Sequence, residues 1–154
     1  MRKPAAVTTA LFALFVAAAV PAQSSARPDP EKQTDLERVK YGDPQALFTV
    51  YFDHASTVLT PTAKGLLDRA AQSLRDGPLQ ICGHTSGAGD KVADQHLSEQ
   101  RAQVVRKYLI ARGVAAERLS TVGYGLTQPA DSNTTEERRQ HNRRVVLKPG
   151  PPQG

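Results

Sequence analysis

The stretch GHTSGAGDKVADQHLSEQRAQVVRKYL, residues 83–109, decides the fold. It opens on a glycine-rich turn and runs into a long amphipathic segment in which Leu97, Val105, Tyr108 and Leu109 recur at helical spacing and are expected to face the core. The helix is predicted to be capped at Asp94 or Ser98 and to end at Gly113. Arg101 lies one turn after Leu97. An arginine so placed is partly buried near the open end of its helix, where an anionic ligand or a neighbouring acid has to compensate it. The competing expectation is a solvated helix face on which Arg101 pairs with Glu99 or Asp94.

Working outward, FTVYF at 48–52 reads as a strand with Phe48, Val50 and Phe52 on one face and Thr49 and Tyr51 on the other. Thr60 followed by Pro61 is a helix start, because a hydroxyl can cap free N–H groups and proline costs nothing at the first helical position. Ala63, Leu66, Leu67, Ala70 and Leu74 then recur at three or four residues, and Gly77-Pro78 stops a helix predicted over Pro61–Asp76. LQICG at 79–83 alternates as a short strand, with Leu79 and Ile81 inward and Cys82 outward or edge-facing. A third strand is expected over Leu119–Tyr124, a short helical turn over Thr135–Gln140 and a last strand over Arg144–Lys148. The predicted fold class is α/β (an α+β two-layer sandwich): a βαβαββ core with two long helices packed on one face of a mixed four-stranded sheet.

Beyond this core, residues 1–26 read as a signal peptide. Arg2 and Lys3 precede an apolar run from Val7 to Val20, and Val20-Pro21-Ala22 and Ser24-Ser25-Ala26 both suit cleavage. The run is shorter than the ~20 residues a spanning helix needs, although a retained anchor is the competing expectation. Residues 27–45, with Pro28, Pro30 and Pro44, read as a linker holding one short helix around Asp35–Lys40. The folded domain is expected over 46–148 and a disordered tail over 149–154.

Composition excludes several classes of function. Export implies an oxidising compartment, yet Cys82 is the only cysteine, so no internal disulfide can form and an intermolecular one is the sole alternative. Without Arg2 and Lys3 there are eighteen basic against fifteen acidic residues, too weak and dispersed an excess for nucleic acid. His54, His84, His96 and His141 match no metal-ligand spacing. Ser86 and Ser98 lack the sequence context of a nucleophile with its base, and Gly83, Gly87 and Gly89 lack the lysine of a phosphate-cradling loop. No enzyme, cofactor or metal site is expected.

Five segments taken together carry a resemblance: YFDHASTVLTP (51–61), GHTSGAG (83–89), LSEQRAQVVRKYLIARGV (97–114), RLSTVGYG (118–125) and NRRVV (142–146). Over residues 47–148 the chain resembles the OmpA-like peptidoglycan-binding domain. The resemblance implies non-covalent binding of the peptidoglycan stem peptide, chiefly the free amino-acid end of meso-diaminopimelate, in the periplasm or at the outer membrane of a Gram-negative envelope. It also admits an outer-membrane or periplasmic protein partner. A zwitterionic end needs a cationic fork for its carboxylate and an acid or oxygen cluster for its ammonium. The family's arginine for the first task falls on Arg101.

The second task meets a departure. The family's aspartate after GHT is Ser86 here, and a hydroxyl accepts a hydrogen bond without neutralising charge, so affinity is expected to be weakened. Ala55 stands where the family usually has Asp or Asn, and Asp94 where it has Asn. Asp94 or Asp90 either supplies the missing charge from a displaced position or merely caps the helix and turn. Asp53 either ties the first loop down through backbone N–H groups or forms an Asx turn. Asn142 is expected to order a loop, one of Arg143 and Arg144 to approach the carboxylate, with Arg144 the candidate, and Thr85 and Leu97 to wall the pocket. The alternative is a degenerate scaffold that keeps the fold and binds another envelope protein.

Overall fold

The computed structural model describes residues 43–87 and 89–151. The predicted signal peptide, most of the predicted linker with its short helix, and residues 152–154 lie outside the described residues. The elements in order are β1 (Phe48–Tyr51), α1 (Pro61–Ser73), β2 (Leu79–Gly83), α2 (Lys91–Ala111), a 3-10 turn (Ala116–Arg118), β3 (Leu119–Gly123), α3 (Glu136–Asn142) and β4 (Arg144–Pro149). Among the described residues, no helix is long and apolar enough to cross a membrane.

The strands form one mixed sheet in the order β1-β4-β2-β3. Strands β2 and β3 are parallel, as a pair joined through a crossover helix must be, and β4 inserts antiparallel between β1 and β2. Strand alternation sends Val50, Leu79, Ile81, Val145 and Leu147 to one face, where they bury against Ala63, Leu67 and Ala70 of α1 and Ala102, Val105 and Leu109 of α2. Both long helices therefore lie on one face, as expected. Strand β3 is an edge, and α2 covers it. Gln95 Nε2 donates to the Gly123 carbonyl (2.8 Å), Arg106 Nε to the Leu119 carbonyl (3.2 Å) and Gln103 Nε2 to Thr121 Oγ1 (2.9 Å).

Helix α1 starts as predicted, with Thr60 Oγ1 accepting from the Ala63 N–H (3.1 Å) and Pro61 at the first position. It ends at Ser73 rather than Asp76, because Leu74 leaves helical dihedrals (φ −93°, ψ 66°) while its N–H still closes onto Ala70. Helix α2 begins earlier than predicted. Asp90 is its cap, accepting from the Val92 N–H (3.3 Å), so Asp94 and Ser98 lie inside the helix. Strand β4 runs on through Pro149, and the Gly150 N–H donates to the Pro78 carbonyl (2.8 Å), so backbone pairing extends into the stretch read as tail.

Cys82 corrects another expectation. It points away from the helices, as its alternation predicts, but β2 is an interior strand and the thiol is buried under Ala46, Val146 and Tyr124. The end of the linker makes part of that cover. The Asp43 carboxylate accepts from the Gln45 N–H (2.9 Å) and pairs with Lys148 Nζ (3.3 Å), and the Asp43 carbonyl accepts from the Ala46 N–H.

One close approach positions everything at the loop end of the sheet. A Cβ on Gly83 would sit 1.9 Å from the Ser98 carbonyl oxygen, and one on Gly123 would sit 2.6 Å from Ser98 Oγ. Only glycine lets the first half of α2 lie directly on the ends of β2 and β3. Ser98 Oγ uses that contact, donating to the Gln95 carbonyl (2.7 Å) and accepting from the Gly125 N–H (3.0 Å).

Candidate functional site

The loops after β1, β2 and β3, the start of α2 and the start of β4 converge at one end of the sheet, since Tyr51 pairs with Arg144 and Gly83 with both Val145 and Gly123. At their centre is Arg101, wholly buried. Its Nε donates to the Ser56 carbonyl (2.9 Å), Nη1 to the His84 carbonyl (3.1 Å) and Nη2 to the Asp53 carbonyl (3.0 Å), while the guanidinium carbon lies 5.2 Å from the Phe52 ring centroid. Burial, and then the charge of Arg143, lower its pKa to about 10, with Asp94 acting in the opposite direction. Arg101 is thus neither on a solvated face nor paired with Glu99, whose carboxylate accepts from Gln95 instead (2.8 Å). Main-chain dipoles of two loops hold the cation. Among the described residues three of its five N–H groups find an acceptor, leaving two.

The buried stripe of α2 reads Asp94, Ser98, Arg101, Ala102, Val105, Leu109. Its first half is polar. Leu97, predicted to sit in this stripe and wall the pocket, is only half-buried and stands outside the core cluster. The physical reason is angular: one residue short of Ser98, it is turned about 100° around the helix from the buried line. Asp94, two turns before Arg101, is 6% exposed, and its Oδ2 is buried with no hydrogen-bond partner among the described residues. It caps nothing; that role falls to Asp90. Such an oxygen is a strained acceptor that gains from any cation or donor able to reach it.

Ser86 and Thr85 are both buried. The Thr85 N–H donates to the Gly125 carbonyl (3.0 Å), while Thr85 Oγ1 has no partner among the described residues. Asp53 contributes differently from expectation: its side chain is exposed, and it is the Asp53 carbonyl that accepts, from Arg101 and from the Ser56 N–H (3.2 Å). Ala55 stands at φ +50°, in the left-handed region where Asn, Asp and Gly are at least cost. Its departure from the family pattern is therefore a matter of backbone as well as of charge.

Asn142 orders the loop before α3, as expected. Its Oδ1 accepts from the N–H groups of Ala130 (2.8 Å) and Asp131 (3.0 Å), and its Nδ2 donates to the Asp131 carbonyl (2.7 Å) and Asn133 Oδ1 (2.8 Å). The two arginines that follow part company. Arg143 bonds the Phe52 carbonyl through Nε (3.3 Å) and Glu136 and Gln140 through Nη2, and its charge reaches Arg101. Arg144, the predicted ligand residue, turns to the opposite sheet face and donates through Nη2 to the Gln128 carbonyl (3.2 Å). Strand alternation is the reason: Val145 and Leu147 face the helices, so Arg144, Val146 and Lys148 cannot.

The structure thus brings together Arg101, Asp94, Thr85, Ser86 and the Asp53 main chain, and removes Leu97 from the buried stripe and Arg144 from the helix side. Sequence reasoning missed Ser56, and it weighed Ser98 only as a helix cap or a nucleophile. Ser98 had a signal, as a small residue four after Asp94 and three before Arg101 in one helical line; Ser56 offers only a carbonyl, which no residue type announces.

Comparison with known proteins agrees with this architecture. Residues 51–143 match the OmpA family. The chain is 39% identical over 101 residues to the peptidoglycan-binding protein ArfA of Mycobacterium tuberculosis, covering 64% of this chain and 31% of that one. It is 35% identical over 106 residues to the peptidoglycan-associated lipoprotein of Pseudomonas aeruginosa, covering 68% and 63%. The crystal structure of the peptidoglycan-associated lipoprotein from Burkholderia pseudomallei superimposes with a TM-score of 0.63 at 26% identity, covering 78% of this chain and 98% of that one. The chain spans between about a third and under two thirds of the length of these two sequence relatives. With the family matched over more than half of its residues and a solved relative superimposing over most of its own length, the chain belongs to the OmpA family.

Proposed function

We propose that the chain is a non-catalytic cell-envelope module that holds the peptidoglycan stem peptide through the zwitterionic end of diaminopimelate. Residues 1–26 direct export, 27–45 form a linker and 46–148 form the wall-binding domain. The observation that carries this reading is the pairing of opposite, incompletely satisfied charges on one helical line: Arg101 with two unused N–H groups, and Asp94 with an unpartnered buried oxygen two turns away. The guanidinium takes the ligand's carboxylate and Asp94 its ammonium, so the charge absent at Ser86 is supplied from α2. Thr85 and Ser86 add neutral hydrogen bonds, and the main chain of Asp53 holds the guanidinium in place. Relatives named for peptidoglycan binding and association support the assignment.

Co-sedimentation of the exported chain with diaminopimelate-type peptidoglycan tests it. The wild type is expected in the pellet and displaced by free diaminopimelate, with Asp94→Asn and Arg101→Ala left in the supernatant. Ser86→Asp should tighten binding about tenfold, since a charged hydrogen bond exceeds a neutral one by roughly 1–1.5 kcal/mol. A second reading, a scaffold for another envelope protein, is favoured by one observation: Arg101 has no exposed surface and its carbonyl partners alone could explain its place. Wild-type protein that stays in solution with the wall polymer would select that reading.

A further inference from the structure

Arg144 is the least compensated ion among the described residues. It is 5% exposed, and only Nη2 has a partner, the Gln128 carbonyl at 3.2 Å; Nε and Nη1 are buried and unbonded. No described carboxylate lies within ion-pair distance of it. Of the groups whose fields support its charge, Tyr51 first and then Asp43, the Asp43 carboxylate is engaged by Lys148. Burying a guanidinium with most of its donors unmet is unfavourable by several kcal/mol unless something supplies acceptors.

Two further nitrogen-bearing side chains lie on the same sheet face. His84 lies beside it, 3% exposed, with Nδ1 unpartnered and its ring stacked on Tyr124 at 5.4 Å between centroids. Burial, and next the charge of Arg144, hold the imidazole neutral by lowering its pKa to about 3, and its ring also bonds the Gln128 main chain, so a neutral His84 has no spare N–H. Lys148 lies further along the same face. Beside it runs the exposed loop Thr127–Pro129, whose Gln128 carbonyl is the acceptor that Arg144 already uses.

We propose that Arg144 is the centre of a second site, on the sheet face opposite the helices, that binds a small oxyanion, a carboxylate or a phosphate, through the unbonded Nε and Nη1 donors of its guanidinium. This site is separate from that of Arg101, although the two share a strand end: the His84 carbonyl accepts from Arg101, and the His84 N–H donates to the Arg144 carbonyl (2.9 Å).

Thermal unfolding of the whole chain at constant ionic strength, with chloride replaced by phosphate or by acetate, tests the proposal. At about five times its Kd either anion should raise the Tm of the wild type by roughly 4–8 °C. Arg144→Met, which exchanges a buried unpaired ion for an apolar side chain of similar length, should fold and should lose that increment. Arg101→Lys should keep it. A stem tetrapeptide added to Arg101→Lys separates the sources: an Arg144-dependent rise identifies a peptide carboxylate as ligand, and a rise with phosphate alone identifies a phosphate. An equal response in wild type and Arg144→Met, or no response to any oxyanion, means that the guanidinium is merely hydrated and overturns the site.

Discussion

The two halves of α2 bury the same helical line with opposite chemistry. From Ala102 through Val105 to Leu109 the line is apolar and packs into the main core; from Asp94 through Ser98 to Arg101 it is polar and packs against loops. The first kind of burial is non-directional and rewards shape, whereas the second rewards only those groups that meet a partner. Arg101 meets three carbonyls and Ser98 meets two groups, but one oxygen of Asp94 meets nothing. The difference separates the half that makes the domain stable from the half that stability alone does not explain.

The comparison breaks most visibly in the apolar half. Leu109→Ala should cost about 3–4 kcal/mol in denaturant unfolding, since a fully enclosed leucine leaves a cavity as well as losing its transfer energy. Binding to the wall polymer should survive under native conditions. A cost below about 1 kcal/mol would mean that the C-terminal half is not the anchor of the fold.

At the polar end the expected lever is pH. His84 is held neutral in the folded chain down to about pH 3, well under the ordinary 6.5 that it regains on unfolding. Its contribution is therefore complete above pH 6.5 and is lost progressively as pH falls from there towards 3, because only the unfolded chain takes up the proton. Between pH 7.5 and 5 the loss should be about 2 kcal/mol. His84→Phe, which keeps a ring against Tyr124, should flatten the profile over that interval; an unchanged slope would assign it to other groups.

How much of this was legible in the residues differs between the halves for the same reason. Thr60-Pro61, the alternation of FTVYF and LQICG, and Val105 to Leu109 are local signals, and the fold follows from them. Leu97 misleads because periodicity counts apolar letters, and here three polar residues occupy the line that Leu97 was expected to join. The helix start was placed at Asp94 or Ser98, with capping by Asp90 kept only as the alternative to a ligand role, because the glycine-rich turn was read as ending later. The opposed directions of Arg143 and Arg144 were available from the inward phase of Val145 and Leu147. The cover over Cys82 was not, since it depends on Ala46 and Tyr124, distant in sequence.

Asp94→Leu sharpens the comparison by reversing its sign. Removing a buried carboxylate oxygen that lacks a partner should stabilise the domain by about 1–2 kcal/mol, at the expense of ligand binding, the exchange expected where a site keeps a costly group for function. Destabilisation by a similar amount would show that Asp94 serves the fold through its influence on Arg101, and the zwitterion reading would lose its anion.

The smallest effect concerns the loop that Arg101 holds. Ala55 sits at φ +50° between Asp53 and Ser56, whose carbonyls are two of the three guanidinium acceptors. A Cβ in that conformation costs about 1–2 kcal/mol, part of which glycine returns as extra entropy of the unfolded chain. Ala55→Gly should therefore stabilise by about 0.5 kcal/mol, and Ala55→Asn by a similar amount through its tolerance of the left-handed region. The two variants separate backbone from ligand chemistry. Equal stabilisation with unchanged wall binding makes Ala55 a conformational matter, whereas tighter binding by Asn alone makes that position a polar contact in the ligand site.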